Sequence, residues 1–387
     1  MLQCRTLYNQ NRKLMSNATA ATATGSIAEP QSNVKIRFAP NSEFERELVK
    51  RINAYFQNTS KSRRDCFRMY LKSFLSISWV IVSYCLIVFA GLPWWGIVLA
   101  SISLSFALNA KAFNVMHDAI HGAYSRHKIV NKLMGHWLDL IGGSSYLWRN
   151  KHNHYHHSYP NITGHDDDVE VGIFARFTPH HKKYFFHRFQ HIYIWFLYGL
   201  LAIKWHLFDD FYTYYTGKIN DHEIERPKGF DAVILFGGKI FFFIIAFVVP
   251  SFYYPIPYVI GFYVFIAMMQ GVIMSIVFQL AHCVEEAEFP MQDEEAGIMD
   301  RTWIVHQLST TVNFARNNKF LTWYLGGLNY QVEHHLFPGI CHINYPDMSN
   351  IVEQTCKEYS ISYSDHGGFF DGLRSHYNWL HKLALAP

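Results

Sequence analysis

Two stretches of the chain carry no Asp, Glu, Lys or Arg: Ser73 to Ala110, 38 residues, and Ile240 to Ala281, 42 residues. One helical crossing of a bilayer takes about 20 apolar residues, so each stretch has the length of a helix that crosses and returns. Breakers stand near both midpoints: Gly91-Leu92-Pro93 in the first, and Pro250, Pro255 and Pro257 in the second. Trp94, Trp95, Tyr253, Tyr254 and Tyr258 lie at the same turns, where interfacial aromatic residues belong. Two buried hairpins in a large soluble protein are the competing reading, but uncharged runs of this length are rare in soluble chains. Composition agrees: 50% of the residues are hydrophobic and 17% are charged, against about 25% charged in soluble domains.

The sequence therefore predicts an all-α integral membrane protein with four transmembrane helices in two hairpins, at about residues 73–92, 94–113, 237–255 and 258–281. Lys61, Arg63, Arg64, Arg68 and Lys72 precede the first hairpin, Lys111, Arg126, Lys128 and Lys132 follow it, and the turns are uncharged. By the positive-inside rule both termini and a cap formed by residues 114–230 and 282–387 face the cytosol. The apolar segment Ile192 to Phe208 is nearly long enough to span. With Trp195, Lys204, Trp205 and His206 at its edges it reads as an interfacial segment. Residues 1–45 read as a flexible tail before one domain at 46–387, with Met15 an alternative start.

A net charge of +4 and no recurring basic face exclude a nucleic-acid partner. The six cysteines contain no C-x-x-C pair and suggest neither a disulfide framework nor a zinc ribbon. The unusual count is 23 histidines, and three clusters of them lie outside the uncharged stretches.

The first cluster is His117-Asp118-Ala119-Ile120-His121, the second His152-Asn153-His154-Tyr155-His156-His157, and the third Gln331-Val332-Glu333-His334-His335. If the helix continues, His117 sits about 10 Å beyond the hydrocarbon edge. His117 and His121, like His152 and His156, share a helical face at i, i+4, and Gln331 and His334 do so at i, i+3. A register pairing His154 with His157 stays open. Imidazole suits zinc, copper, iron and nickel, and this many nitrogen donors are enough for two ions of octahedral type. His282 follows the second uncharged run and mirrors the start of the first cluster, so it joins the candidate ligands. Asp118, Asn153, Asn161, Asp166 and Glu333 are candidates to hold the second ring nitrogen of a ligand. His165 lies close enough to the second cluster to be considered with it.

In this order, around two hairpins, the clusters resemble the histidine boxes of the membrane fatty acid desaturase family. The likeness runs from about Phe56 to Trp379 and includes Trp148-Arg149, Phe278 to His282, Thr310 to Phe314 and Gly326 to Asn329. Within the family it is nearest to front-end, Δ6-type acyl desaturases of the cyanobacterial kind, where Gln replaces the first histidine of the third box. The resemblance implies two iron ions held by His117, His121, His152, His156, His157, His282, His334 and His335. Gln331 stands where other branches have a histidine ligand. It also implies molecular oxygen as oxidant, a cis double bond as product, and a long-chain acyl lipid or acyl-CoA from the bilayer as substrate. Many front-end members carry a fused cytochrome b5 domain marked by HPGG, a motif absent here, so a separate donor, ferredoxin or cytochrome b5, is expected. Two other functions fit less well. A lipid hydroxylase on the same scaffold would share the boxes, although Gln331 favours desaturation. A membrane metal transporter would place its ligands near the bilayer midplane, where these spans have none.

Overall fold

The computed structural model describes residues 36–220, 222–291 and 297–386. Residues 1–35 of the tail expected at 1–45, and the alternative start at Met15, lie outside the described residues. The packed chain already begins at residue 36 rather than 46. Ile36 is buried, Arg37–Ala39 pairs in parallel with Ile298–Thr302, and α1 (Glu43–Thr59) starts at a Ser42 cap whose backbone N–H is held by the Glu45 carboxylate. Phe44, Leu48, Ile52 and Phe56 recur every four residues, so α1 presents one apolar stripe. The stripe packs against Val332, Leu336, Met348 and Val352 in the cap, which places the third histidine cluster directly behind it.

Four helices are long and apolar enough to cross a membrane: α2 (Phe67–Phe89), α3 (Trp94–Ile120), α5 (Phe230–Ser251) and α6 (Ile256–His282). They form the two expected hairpins, turning at Gly91 to Pro93 and before Ile256. Their ends differ from the expected spans. Helix α2 starts six residues earlier and contains Arg68 and Lys72; α5 starts seven earlier and contains Asp231 and Lys239. Hydropathy marks the apolar middle of a helix, whereas its hydrogen bonds continue through charged residues that have partners. Similarly α3 runs past residue 113 through a π-helical turn, Ala112–Met116, and delivers His117 on the same rod. Many outer side chains of the spans, among them Phe74, Ile81, Phe89 and Ile240, are exposed, as a lipid-facing surface would be.

The ambiguous apolar segment folds as α4 (Gln190–Lys204), a π-helical turn at Trp205–Asp209 and a short helix at Asp210–Thr216. Helix α4 packs on α6, and it is not one of the four helices of spanning length and hydropathy. The architecture is helical but not purely so. Three two-stranded pairs occur among the described residues, at 37–39 with 298–302, 218–219 with 222–223, and 313–314 with 365–366. They are too short to show a period of two.

The cap is tied to the first hairpin at a close backbone contact. Gly326 has φ +61, and a Cβ there would lie 2.4 Å from the Phe113 carbonyl oxygen. Beside it the Asn114 amide donates to the Tyr324 carbonyl at 2.8 Å. Replacing Gly326 with Ala adds left-handed strain and a clash in the turn that precedes His117. The expected cost is about 1–3 kcal/mol, read as a lowered Tm in detergent together with reduced metal content.

Candidate metal centre

The three clusters, up to 218 positions apart in sequence (His117 to His335), meet at one place. The ligand-type nitrogens of His117, His121, His152 and His334 lie within 4.8 Å of one another, as do those of His156, His282 and His335, and those of His157, His334 and His335. His152 Nε2 is 3.1 Å from His117 Nε2 and 3.2 Å from His157 Nε2. Every one of these rings is buried except that of His121, which is partly so. A cavity of about 230 Å³ lies among His117, His152, His156, His282 and His334, closed by Gln331, Asp168, Phe278 and Leu328. All nine residues singled out from the sequence thus face one site, Gln331 as a wall residue.

Local backbone explains the second cluster. Asn150–His156 is a π-helical turn, and His157 N–H donates to His152 O at 2.9 Å, five residues back. A wider turn takes more than four residues per revolution, so His152, His156 and His157 all point inward while His154 is exposed. The register pairing His154 with His157 is not the one formed. Trp148 stacks on the His152 ring at 4.1 Å and sets its plane.

The outer ring nitrogens are held one by one. His156 Nδ1 is 3.0 Å from Asp166 Oδ1 and 3.4 Å from Asp168 Oδ2. Asp166 is fixed in turn by the backbone N–H groups of Asn161 and Asp168. His335 Nδ1 meets Gln307 Oε1 at 2.9 Å, and the same amide donates to His157 O. His282 Nδ1 donates to the Thr310 carbonyl at 3.1 Å, and His334 Nδ1 is 3.3 Å from the Tyr345 hydroxyl. Asn161, at φ +59, donates its amide to the His282 and Glu288 carbonyls and locks this corner.

Of the five expected supporting residues, Asp166 alone holds a ring nitrogen of a candidate ligand, and the other four serve elsewhere. Asp118 turns away from the cluster and accepts from the N–H and Nδ1 of His342, whose Nε2 meets Lys72. Glu333 accepts from Asn313 and Tyr363, and burial pushes its carboxyl up to about 7. Asn153 donates to the Ile120 carbonyl, joining the first two clusters through backbone. The His165 ring lies against Tyr159 and His222 and belongs to none of the groups of converging ligand atoms. Gln307, Tyr345 and Asp168 were not picked out from the sequence. Gln307 and Tyr345 stand alone in their segments, with no spacing to mark them, whereas Asp168 was visible in Asp166-Asp167-Asp168.

The electrostatics suit a metal. Burial pushes His121, His152, His157, His334 and His335 well below the ordinary imidazole pKa, so these rings are neutral, the form that binds a cation. Burial acts the same way on His156, but Asp166 and Asp168 outweigh it and raise its pKa. Burial also raises Asp166, and His156 with two backbone donors brings it back down to about 2. Four ring nitrogens, His121 Nε2, His157 Nδ1, His334 Nε2 and His335 Nε2, are buried without a hydrogen-bond partner.

Comparison with known proteins agrees with this geometry. The family model described as "Fatty acid desaturase" matches residues 93–367. The sn-1 linoleoyl-lipid 6-desaturase of Arthrospira platensis is 39% identical over 355 residues, covering 91% of this chain and 96% of that protein. The protein of the same name from Synechocystis sp. is 37% identical, covering 91% and 98%. An acyl-lipid (8-3)-desaturase of Physcomitrium patens is 34% identical over 90% of this chain and 73% of its own length. The chain belongs to the fatty acid desaturase family and is an oxidoreductase that desaturates fatty acyl chains.

Proposed function

We propose that the chain holds two iron ions and inserts a cis double bond into lipid-linked long-chain acyl groups at the Δ6 position. The observation that carries the reading is the set of partnerless nitrogens gathered from three distant clusters. Each buried polar atom left unpaired costs about 1–3 kcal/mol, and a cation at each nitrogen group removes that cost. His117, His121, His152 and His334 would hold one ion, and His156, His282 and His335 the other, with His157 between them and Gln331 beside the pair. Imidazole donors suit zinc, copper, iron and nickel alike, and the choice of iron rests on the fatty acid desaturase family. Bound there, the ions would supply oxidising power from dioxygen, which breaks C–H bonds that no acid or base side chain can break.

The balance is one acyl –CH2–CH2– unit, O2, two electrons and two protons giving –CH=CH– and two waters. The chain's own residues do the positioning. Asp166, Gln307 and the Thr310 carbonyl hold the outer nitrogens of His156, His335 and His282, which fixes the tautomers and aims the free nitrogens inward. A second, narrow pocket shares His117 and Phe278 with the metal cavity and is lined by apolar residues such as Phe113, Met116, Leu138, Ile141 and Met274. It would take the acyl chain and keep water from the reacting carbons. Lipid-linked substrate and the sixth position rest on the names of the two cyanobacterial relatives. The cap would face the cytosol, where a separate carrier, ferredoxin or cytochrome b5, would deliver electrons.

Expression in a host fed defined fatty acids, with double bonds located by mass spectrometry, is expected to give Δ6 products and about two irons per purified chain. Active protein without iron would overturn the proposal. His156→Ala is expected to abolish turnover and lower iron content. Gln331→Ala should impair turnover severely while Gln331→His retains part of it. Asp166→Asn leaves the ligand set intact but removes the charge behind His156, so iron affinity should fall about 10- to 100-fold, measured by competition with a chelator.

A further inference from the structure

A buried ion pair stands beside the acyl cavity. Lys239 lies in α5, one residue before the second uncharged run, and its Nζ is 2.8 Å from Asp210 Oδ2. Both side chains are nearly inaccessible, at 3% and 4% exposure. Withdrawing two charges from water at the edge of a bilayer is costly, and such groups are retained where they have a task. The other donors of the ammonium are aimed at backbone: the Gly142 carbonyl at 2.6 Å, His206 at 3.1 Å and Trp205 at 3.2 Å. Trp205 returns the contact, its Nε1 donating to Asp210 Oδ1 at 3.1 Å. One cation therefore joins the loop at 142–143, the π-helical turn Trp205–Asp209 and α5.

All this converges on the cavity wall. Gly143, Trp205 and His206 line the cavity that reaches His117. A hydrophobic pocket discriminates by fit, about 10- to 200-fold per methylene gained or lost, provided its wall is rigid. The wall here includes a π-helical turn, a wide geometry rarely stable without support, and the support is the Lys239–Asp210 pair.

We propose that Trp205 and His206 form a wall that sets acyl-chain selectivity, and that Lys239 and Asp210 are positioning residues that hold this wall in place. The inference rests on reading the apolar pocket beside His117 as the acyl site. The test expresses the full-length chain in a host fed acyl chains of graded length and reads the ratio of longer to shorter unsaturated products with iron content alongside. Trp205→Ala should shift that ratio about 10-fold toward longer chains, and Lys239→Met should shift it the same way by less, both with iron unchanged. A ratio equal to wild type, or lower yield with iron lost in parallel and the ratio intact, overturns the proposal. If Lys239→Met does not accumulate, Trp205→Leu, which leaves the ion pair intact, carries the same test with the same outcomes. Met274→Phe fills the cavity from another wall and separates the two ideas. It should depress turnover of every chain with iron retained, and unchanged turnover would remove the cavity reading itself.

Discussion

The constraint on which the molecule depends is that imidazole nitrogens are buried facing one another, four of them without a hydrogen-bond partner. Protein interiors avoid this, because a buried polar atom left unpaired loses its hydration for nothing. Here the surroundings enforce it. Asp166, Gln307, the Thr310 carbonyl and Tyr345 each occupy the outer nitrogen of a ring, so the inner nitrogen has nowhere else to turn. Burial keeps most of these rings neutral, and the one whose pKa is raised, His156, is the one backed by carboxylates. The apolar packing of α1 against the third cluster, and the amide of Asn161 across the His282 corner, act to keep that arrangement from relaxing.

The scaffold meets the constraint by extending span helices into the cap rather than by building the site on loops. His117 lies in the last turn of α3 and His282 ends α6, so two of the converging histidines, candidate ligands like the rest, stand on rods of the apolar hairpins. The other ligands come from the cap and must be brought to those rods. Gly326 lying against the Phe113 carbonyl, and Asn153 bonded to the Ile120 carbonyl, are the contacts that do so. Of the four wide helical turns among the described residues, three fall where aim matters, before His117, through His152 to His156, and at Trp205, and the fourth, Ile244–Val248, lies within α5. Each adds a residue to the turn and rotates the side chains beyond it, a correction that a straight rod of period 3.6 does not allow.

Much of this was legible from residue order, and the parts that were not have a common cause. The hairpins were legible because charge is excluded from two long runs and breakers fall between their halves. The convergence of the histidines was legible because imidazole is scarce in most chains and here recurs at spacings that share a face. The starts of the first and third spans were misjudged where Lys72 and Asp231 sit inside helices, since each has a partner far along the chain, His342 and Lys132, that no local window can see. Asp118 and Glu333 were natural guesses as supports because they adjoin ligands. A helix, however, sends neighbouring side chains in different directions, and both point into other networks. Gln307 and Tyr345 do the supporting instead, from segments with no distinguishing spacing.

The same logic links the metal cluster to the apolar cavity. The two cavities share His117 and Phe278, so a chain lying in one presents its carbons to the other without crossing water. Such an arrangement is selective only if the distance from cavity wall to His117 is constant. Helix α6 fixes one side through its own regular hydrogen bonds, α3 meets the cavity at its π-helical turn Ala112–Met116, and Trp205 stands on a second such turn. There the ammonium of Lys239 supplies the donors and Asp210 the charge that a regular helix would not need. A buried lysine thus stands at each irregular turn of the cavity wall, Lys111 on the Trp137 carbonyl beside the turn in α3 and Lys239 on Asp210 beside Trp205, where rigidity has to come from side chains.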